Sequence, residues 1–276
     1  MEIVACHAHL VKSLAEGEPN MSTAVMMGRI VEESPRIKAR IAGVFYLFTI
    51  VTRMLVEIFV RNRLVVSDDA AATATNILAH EPLWQWGFAG DIIAFASYIA
   101  LTALLYELFK PVNRSVSLVA AFFSLTASVV QAISSLFHFA PLAVLGGSKY
   151  LSAFSAEQLQ ALALVFLRLR AAAYHNVGLV FFGLYLLLVG ILILRSAFLP
   201  GVLGVLMVLA GLSYVLFLSP PLVLFLQPYI LIFPAVGQIS LCLWLLVMGV
   251  NVERWEGQPE RQWNDGRRSM GARQTD

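Results

Sequence analysis

Between Ile37 and Val250 the chain is a succession of long apolar runs separated by short polar breaks. A helix needs about 20 apolar residues to cross roughly 30 Å of hydrocarbon. Six runs reach that length: 37–60, 86–109, 116–140, 172–194, 199–218 and 229–250. Pro228 and Pro234 interrupt the start of the sixth. Two of the breaks are short and basic, Lys110-Pro-Val-Asn-Arg114 and Arg195-Ser-Ala-Phe-Leu-Pro200. The others are longer and patterned. Ser67-Asp-Asp-Ala predicts a helix cap with acids in the first turn, the helix running to about His80 and ending before Pro82. Ser155 with Gln158 predicts a capping box. Beyond it Leu159, Leu162, Phe166 and Leu169 share one face, as in an interfacial helix or an extension of the fourth span. The predicted fold class is all-α: a polytopic membrane bundle of about six helices spanning 37–250, with polar tails at 1–36 and 251–276, the first read as mobile and the second as disordered.

Composition agrees with the pattern. The chain is 59% hydrophobic and 13% charged, against roughly 45–50% and about 25% for a soluble domain. The solvent for most of this surface is therefore expected to be lipid. Basic residues set the orientation. The side holding both tails and the two short breaks carries Lys12, Arg29, Arg36, Lys38, Arg40, Lys110, Arg114, Arg195, Arg254, Arg261, Arg267, Arg268 and Arg273, thirteen in all. The opposite side carries Arg61, Arg63, Lys149, Arg168 and Arg170, five in all. Thirteen against five predicts both termini in the cytoplasm of a multi-pass cell-membrane protein. Arg168 and Arg170 suit snorkelling to headgroups. Trp84, Trp86 and Trp255 stand where aromatic belts are expected. The first twenty residues lack the apolar core and cleavage site of a signal peptide. Cys6 falls in the N-terminal tail and Cys242 in the middle of a late span, so no disulfide is expected.

Ionisable residues inside spans are costly and so mark candidate sites. Arg53 and Glu57 are one turn apart in the first span, a spacing that lets them meet on one helix face. The predicted orientation brings Asp91 to a similar depth on the second span, so the candidate polar site is Arg53, Glu57 and Asp91, in the outer half of the membrane. Gln131, His138, His175 and Gln238 are weaker candidates. The trio reads in two ways: as a structural ion-pair cluster, or as a solvated pocket in which Arg53 binds an anionic group or Asp91 carries a proton. His138 and His175, with His80 as a further ligand, invite a haem or metal reading. No paired-His spacing or C-x-x-C supports it, so no cofactor and no metal is assigned. Gly146-Gly147-Ser148 reads as a turn. No G-x-S-x-G, H-E-x-x-H, phosphate-cradling loop or nucleic-acid patch occurs, so neither an enzyme nor a nucleic-acid partner is expected. The basic stretch between Arg261 and Arg273 reads as an orientation signal facing anionic headgroups. Gly183 with Gly190, and Gly204 with Gly211, are spaced to let helices approach closely.

Several short motifs in order resemble a known family. They are Arg40-Ile-Ala-Gly43, Pro111-Val-Asn-Arg114, Leu179-Val-Phe-Phe-Gly183, Phe198-Leu-Pro200 and Leu243-Trp-Leu-Leu246. Together they resemble the bacterial membrane family called domain of unknown function 4386, over roughly 36–250. The resemblance implies about six helices in a bacterial cytoplasmic membrane and no established activity. It also implies an Arg and a following acid in span three, where this chain has Ser124 and Ala127, and a Glu in span six, where it has Gln238. On that comparison Arg53 is expected to replace the missing arginine as partner of Asp91. The functional reading is a small-molecule or ion-handling bundle, with proton coupling as one form of it. A structural or partner-binding subunit and a haem or metal protein are the alternatives. The lipid bilayer is the partner expected in every case, with a small ligand or ion in the first.

Overall fold

The computed structural model describes residues 34–147, 149–226 and 229–258. In hydrocarbon each backbone amide must be satisfied within its own segment, which leaves helices as the solution for runs of this kind. No strand occurs among the described residues. Six helices are long and apolar enough to cross a membrane: α1 (Pro35–Leu64), α3 (Glu81–Phe109), α4 (Arg114–Leu145), α5 (Ala156–Arg195), α6 (Gly201–Leu218) and α8 (Tyr229–Val247). Short helices α2 (Ala70–Ala79), α7 (Pro220–Leu226) and α9 (Val252–Glu256) lie at their ends. All six predicted spans are present, and the expectation of an all-α membrane bundle holds.

Local chemistry explains the starts. Pro35 opens α1, where its missing N–H costs nothing. Asn113 caps α4 by accepting from Val116 N at 3.0 Å. The Ser155–Gln158 capping box forms in both directions. Pro234 falls near the start of α8, where its missing N–H is tolerated. At α2 the cap is Asp69, which accepts from Ala72 N at 2.8 Å, rather than Ser67. Asp68 before it takes φ 66° and turns the chain into the helix. The stretch after Ser155 is no separate interfacial helix. It continues into the fourth span as one 40-residue helix.

The spans close into a ring in the order α1–α3–α4–α5–α6–α8, with α8 returning to α1. Close backbone approach at glycines sets its tightness, α5–α6 and α1–α8 among the seams. Across α5–α6, Gly183 faces Gly211 and Gly190 faces Gly204, and a Cβ on Gly183 or Gly190 would come 2.8 Å from the partner glycine's carbonyl oxygen. At α1–α8, a Cβ on Gly43 would strike Leu246 N at 2.6 Å. Backbones therefore touch at both seams, the packing that membrane helices use in place of a hydrophobic drive.

The interior of the ring is graded. Near the end that carries both termini it is a dry core that includes Leu101, Leu105, Leu186, Val189, Leu241 and Leu245. Trp255 closes this end by donating its Nε1–H to Leu108 O at 2.8 Å. Polar groups collect toward the other end. Two wide π-helical turns lie there, Val56–Arg61 in α1 and Ala173–Gly178 in α5. Such turns insert a residue into a helix and recur at functional sites.

Candidate functional site

Two polar layers occupy the interior beyond the dry core. The farther one is an ion-pair network. Arg61, inside the wide turn of α1, donates Nη1–H to Glu57 Oε2 at 2.7 Å and Nη2–H to Asp91 Oδ2. Arg170 of α5 reaches the same Asp91 oxygen at 3.4 Å. Asp91 is 1% exposed, Arg61 10% and Arg170 13%, while Glu57 is 55% exposed at the bundle surface. One α3 carboxylate thus ties α1 to α5. Asp91 Oδ1, Arg61 Nε and Arg170 Nε are buried without hydrogen-bond partners.

Beside this network His138 lies fully buried and stacked on Trp84, ring centroids 3.9 Å apart at 7°. Trp84 Nε1–H donates to His138 O at 2.7 Å. His138 Nε2 stands 2.8 Å from Trp84 O. A carbonyl only accepts, so Nε2 carries the proton there and Nδ1, buried without a partner, is the bare nitrogen. Trp84 is therefore no interfacial belt residue. Its indole locks α3 to α4, while Trp86 is 72% exposed.

The nearer layer is a cavity of about 80 Å³ at the centre of the ring. All six spans line it, among them Tyr46, Thr49 and Arg53 of α1, Phe95 and Tyr98 of α3, Ser128 and Gln131 of α4, Tyr174 and Phe182 of α5, Tyr214 of α6 and Gln238 of α8. Roughly 10–15 Å³ in this measure holds one water, so there is room for several. Arg53 is the one charged residue in the lining. Its Nη1–H donates to Gln131 Oε1 at 3.2 Å and its Nη2–H to the Tyr174 hydroxyl. Its guanidinium carbon stands 5.2 Å from the Phe95 ring centre and 5.0 Å from that of Tyr174, cation–π distances that hold the cation without a carboxylate. Gly178, last residue of the α5 wide turn, makes space for this: a Cβ there would meet Gln131 Cγ at 2.9 Å. At the other wall Gln238 Nε2 donates to the Tyr214 hydroxyl at 3.2 Å and to Pro234 O at 3.1 Å. The Tyr46 and Tyr98 hydroxyls are buried without hydrogen-bond partners.

The sequence-predicted residues thus separate. Arg53, Gln131 and Gln238 meet in the cavity; Glu57 and Asp91 belong to the ion-pair layer. The expected pairing of Arg53 with Glu57 or Asp91 does not form: neither acid lies within ion-pair distance of Arg53, and Arg61 takes both. The physical reason is competition: Arg53 is drawn to Gln131 and Tyr174, while Arg61 takes Glu57 and Asp91. The i, i+4 pair that does form is Glu57 with Arg61. His175 lies on the outer surface, its Nδ1 2.8 Å from Ala171 O and its ring stacked on Phe217. Among the described residues no three His, Cys, Asp or Glu side chains come together as a metal site would require. His138 is sandwiched too closely by Trp84 to present Nε2 to a haem iron. Arg61, Arg170, Tyr46, Tyr98 and Tyr174 are the residues that sequence reading missed. Arg170 shows no headgroup snorkelling, since it turns inward to Asp91; Arg168 pairs with Asp68 at the surface.

Fold and site together define a multi-pass membrane protein with a polar interior cavity. The model of the domain of unknown function DUF4386 matches residues 41–249, and the chain belongs to that family. No curated protein and no solved structure matches it.

Proposed function

We propose that this chain handles a small solute, which it binds in the central cavity and exchanges with the face away from its termini. With the termini in the cytoplasm, that face is the outer one. The observation that carries the reading is the cavity itself: a void bounded by all six spans, whose lining holds one cation with no carboxylate beside it and the hydroxyls of Tyr46 and Tyr98, which make no hydrogen bond. A bundle built only for structure gains nothing from leaving these groups unpaired, at about 1–3 kcal/mol each. A bound molecule or water satisfies them. Asp91, held by two guanidinium groups, acts in this reading as a fixed counter-ion.

The second reading, a structural subunit, draws on the ion-pair layer, in which each carboxylate has an arginine. One experiment separates the two. Ser128→Cys, placed in full-length protein carrying Cys6→Ser and Cys242→Ser, is exposed to a small water-soluble thiosulfonate in proteoliposomes. Ala127→Cys, fully buried and outside the lining, is the control. Solute handling predicts modification at 128 and none at 127, read by mass spectrometry. Equal protection at both positions would establish a sealed, structural interior.

A further inference from the structure

The cavity's charge and hydrogen-bonding pattern define the ligand more narrowly, and this step rests on the solute-binding reading above. We infer that the ligand is a small organic monoanion: a carboxylate seated on Arg53, with a neutral body that carries at least one oxygen acceptor.

Charge comes first. The two polar layers hold three arginines, Arg53, Arg61 and Arg170, and two carboxylates, Glu57 and Asp91. Both carboxylates are committed to Arg61 and Arg170. The uncompensated charge is therefore the one in the cavity wall. Arg53 is partly buried, its guanidinium facing the cavity with no carboxylate beside it, and one negative charge in the cavity gains from that unmatched cation. A dianion would bring a second charge with no cation to meet it. An amine or zwitterion would need an acid in the lining, and the lining has none.

Shape comes second. The Arg53 guanidinium has five N–H donors. One goes to Gln131 and one to Tyr174, which leaves three, enough for the paired contact that a planar carboxylate accepts. The remaining wall asks for an acceptor. The Tyr46 and Tyr98 hydroxyls, in a cluster with Tyr185, make no hydrogen bond of normal geometry, so an acceptor oxygen in the cavity can take a proton from either. Thr49 and Ser128 already donate to Phe45 O and Ser124 O along their own helices. At about 80 Å³ the space takes an organic molecule of roughly five to seven heavy atoms, on the scale of one water per 10–15 Å³. A short hydroxy- or keto-acid meets all of these conditions.

The test uses full-length protein in lipid nanodiscs and isothermal titration with lactate, acetate, inorganic phosphate, glycerol and ethanolamine. Lactate should bind tightest, acetate more weakly, and the other three at least tenfold more weakly than lactate. Arg53→Gln should weaken lactate binding at least tenfold, and Arg53→Lys by less. Tyr98→Phe should weaken lactate several-fold while leaving acetate unchanged, a pattern that misfolding cannot imitate. Glycerol or ethanolamine binding as well as lactate would overturn the inference, as would Arg53→Gln binding lactate like the parent in a monodisperse preparation. No binding by any probe, with Ser128→Cys still modified, would refute the ligand class and leave the pocket reading standing. Loss of both would refute both.

Discussion

Asp91→Asn is the sharpest probe of how this bundle is held together. The substitution keeps the side chain's size and removes one charge. Asp91 is 1% exposed and joins Arg61 of α1 to Arg170 of α5, so its loss leaves guanidinium groups buried without their counter-charge. Removing one partner of a buried pair costs about 3–5 kcal/mol. Two details refine that range. Arg61 keeps Glu57 at 2.7 Å and is only partly stranded, whereas Arg170 has no other acid within ion-pair distance among the described residues. The Asn oxygen can still accept from one arginine. Both place the expected cost near the lower end, about 3 kcal/mol, which is more than a hundredfold in the folding equilibrium. Reversible unfolding by sodium dodecyl sulfate in mixed micelles, followed by tryptophan fluorescence, measures it directly.

The same titration tests the wiring. Arg170→Gln alone removes the more distant of the two contacts and should cost less than Asp91→Asn. The double variant should show a coupling of about 1–3 kcal/mol, as residues sharing one ion-pair network do. Glu57→Gln, at an exposed position, should cost no more than about 1 kcal/mol. A cost below about 0.5 kcal/mol for Asp91→Asn, or strict additivity with Arg170→Gln, would refute the claim that this carboxylate ties α1 to α5.

Two further outcomes follow from particular contacts. Gly211→Ala puts a Cβ 2.6 Å from Gly183 O and Leu187 N, backbone atoms that cannot step aside, so it should cost about 1–3 kcal/mol in the same titration; a neutral result would mean that the α5–α6 seam is looser than its geometry. Arg170→Gln, made in the Ser128→Cys background, should speed thiosulfonate modification at 128 several-fold by releasing α5 from Asp91, and an unchanged rate would show that the ion-pair layer does not govern entry.

The six spans were legible because each is a run of apolar residues longer than any soluble core demands. Their ends were less so. The fourth apolar run begins only after Arg168 and Arg170, yet the helix starts at Ala156, where the Ser155–Gln158 capping box placed it. Hydropathy ended the membrane run at those arginines, which are good helix formers. Where they go, to Asp68 and Asp91 of other segments, is tertiary information and absent from the local pattern. The site was legible in part for the same reason. Arg53, Gln131 and Gln238 were marked by being polar within apolar runs. Arg61 and Arg170, near the ends of such runs, looked like interfacial residues until the fold turned them inward. Tyr46, Tyr98 and Tyr174 carried no signal, since a tyrosine in a span reads as part of the apolar run. Local spacing misled once, at Arg53 and Glu57: Glu57 has a second i, i+4 neighbour in Arg61, and tertiary partners on α4 and α5 hold Arg53 instead.

The graded interior also constrains how a solute would reach the proposed cavity. Toward the termini, fully buried leucines and valines fill the ring, and a passage there would mean unpacking the dry core. Toward the other end the barrier is the ion-pair layer, and its contacts are unequal. Arg61 and Glu57 both belong to α1, so moving α5 leaves their pair and the Arg61–Asp91 contact intact. What joins α5 to the network is the 3.4 Å contact of Arg170 with Asp91 and the hydrogen bond from Arg53 to Tyr174. Both lie at or within a turn of the wide stretch Ala173–Gly178, where α5 departs from regular helical geometry. On the proposed reading, a carboxylate takes the Arg53 N–H groups that Gln131 and Tyr174 leave open, so binding keeps the Arg53–Tyr174 bond. The polar contact that yields on entry is then the longer one, Arg170 with Asp91. The faster modification expected of Arg170→Gln tests that contact directly.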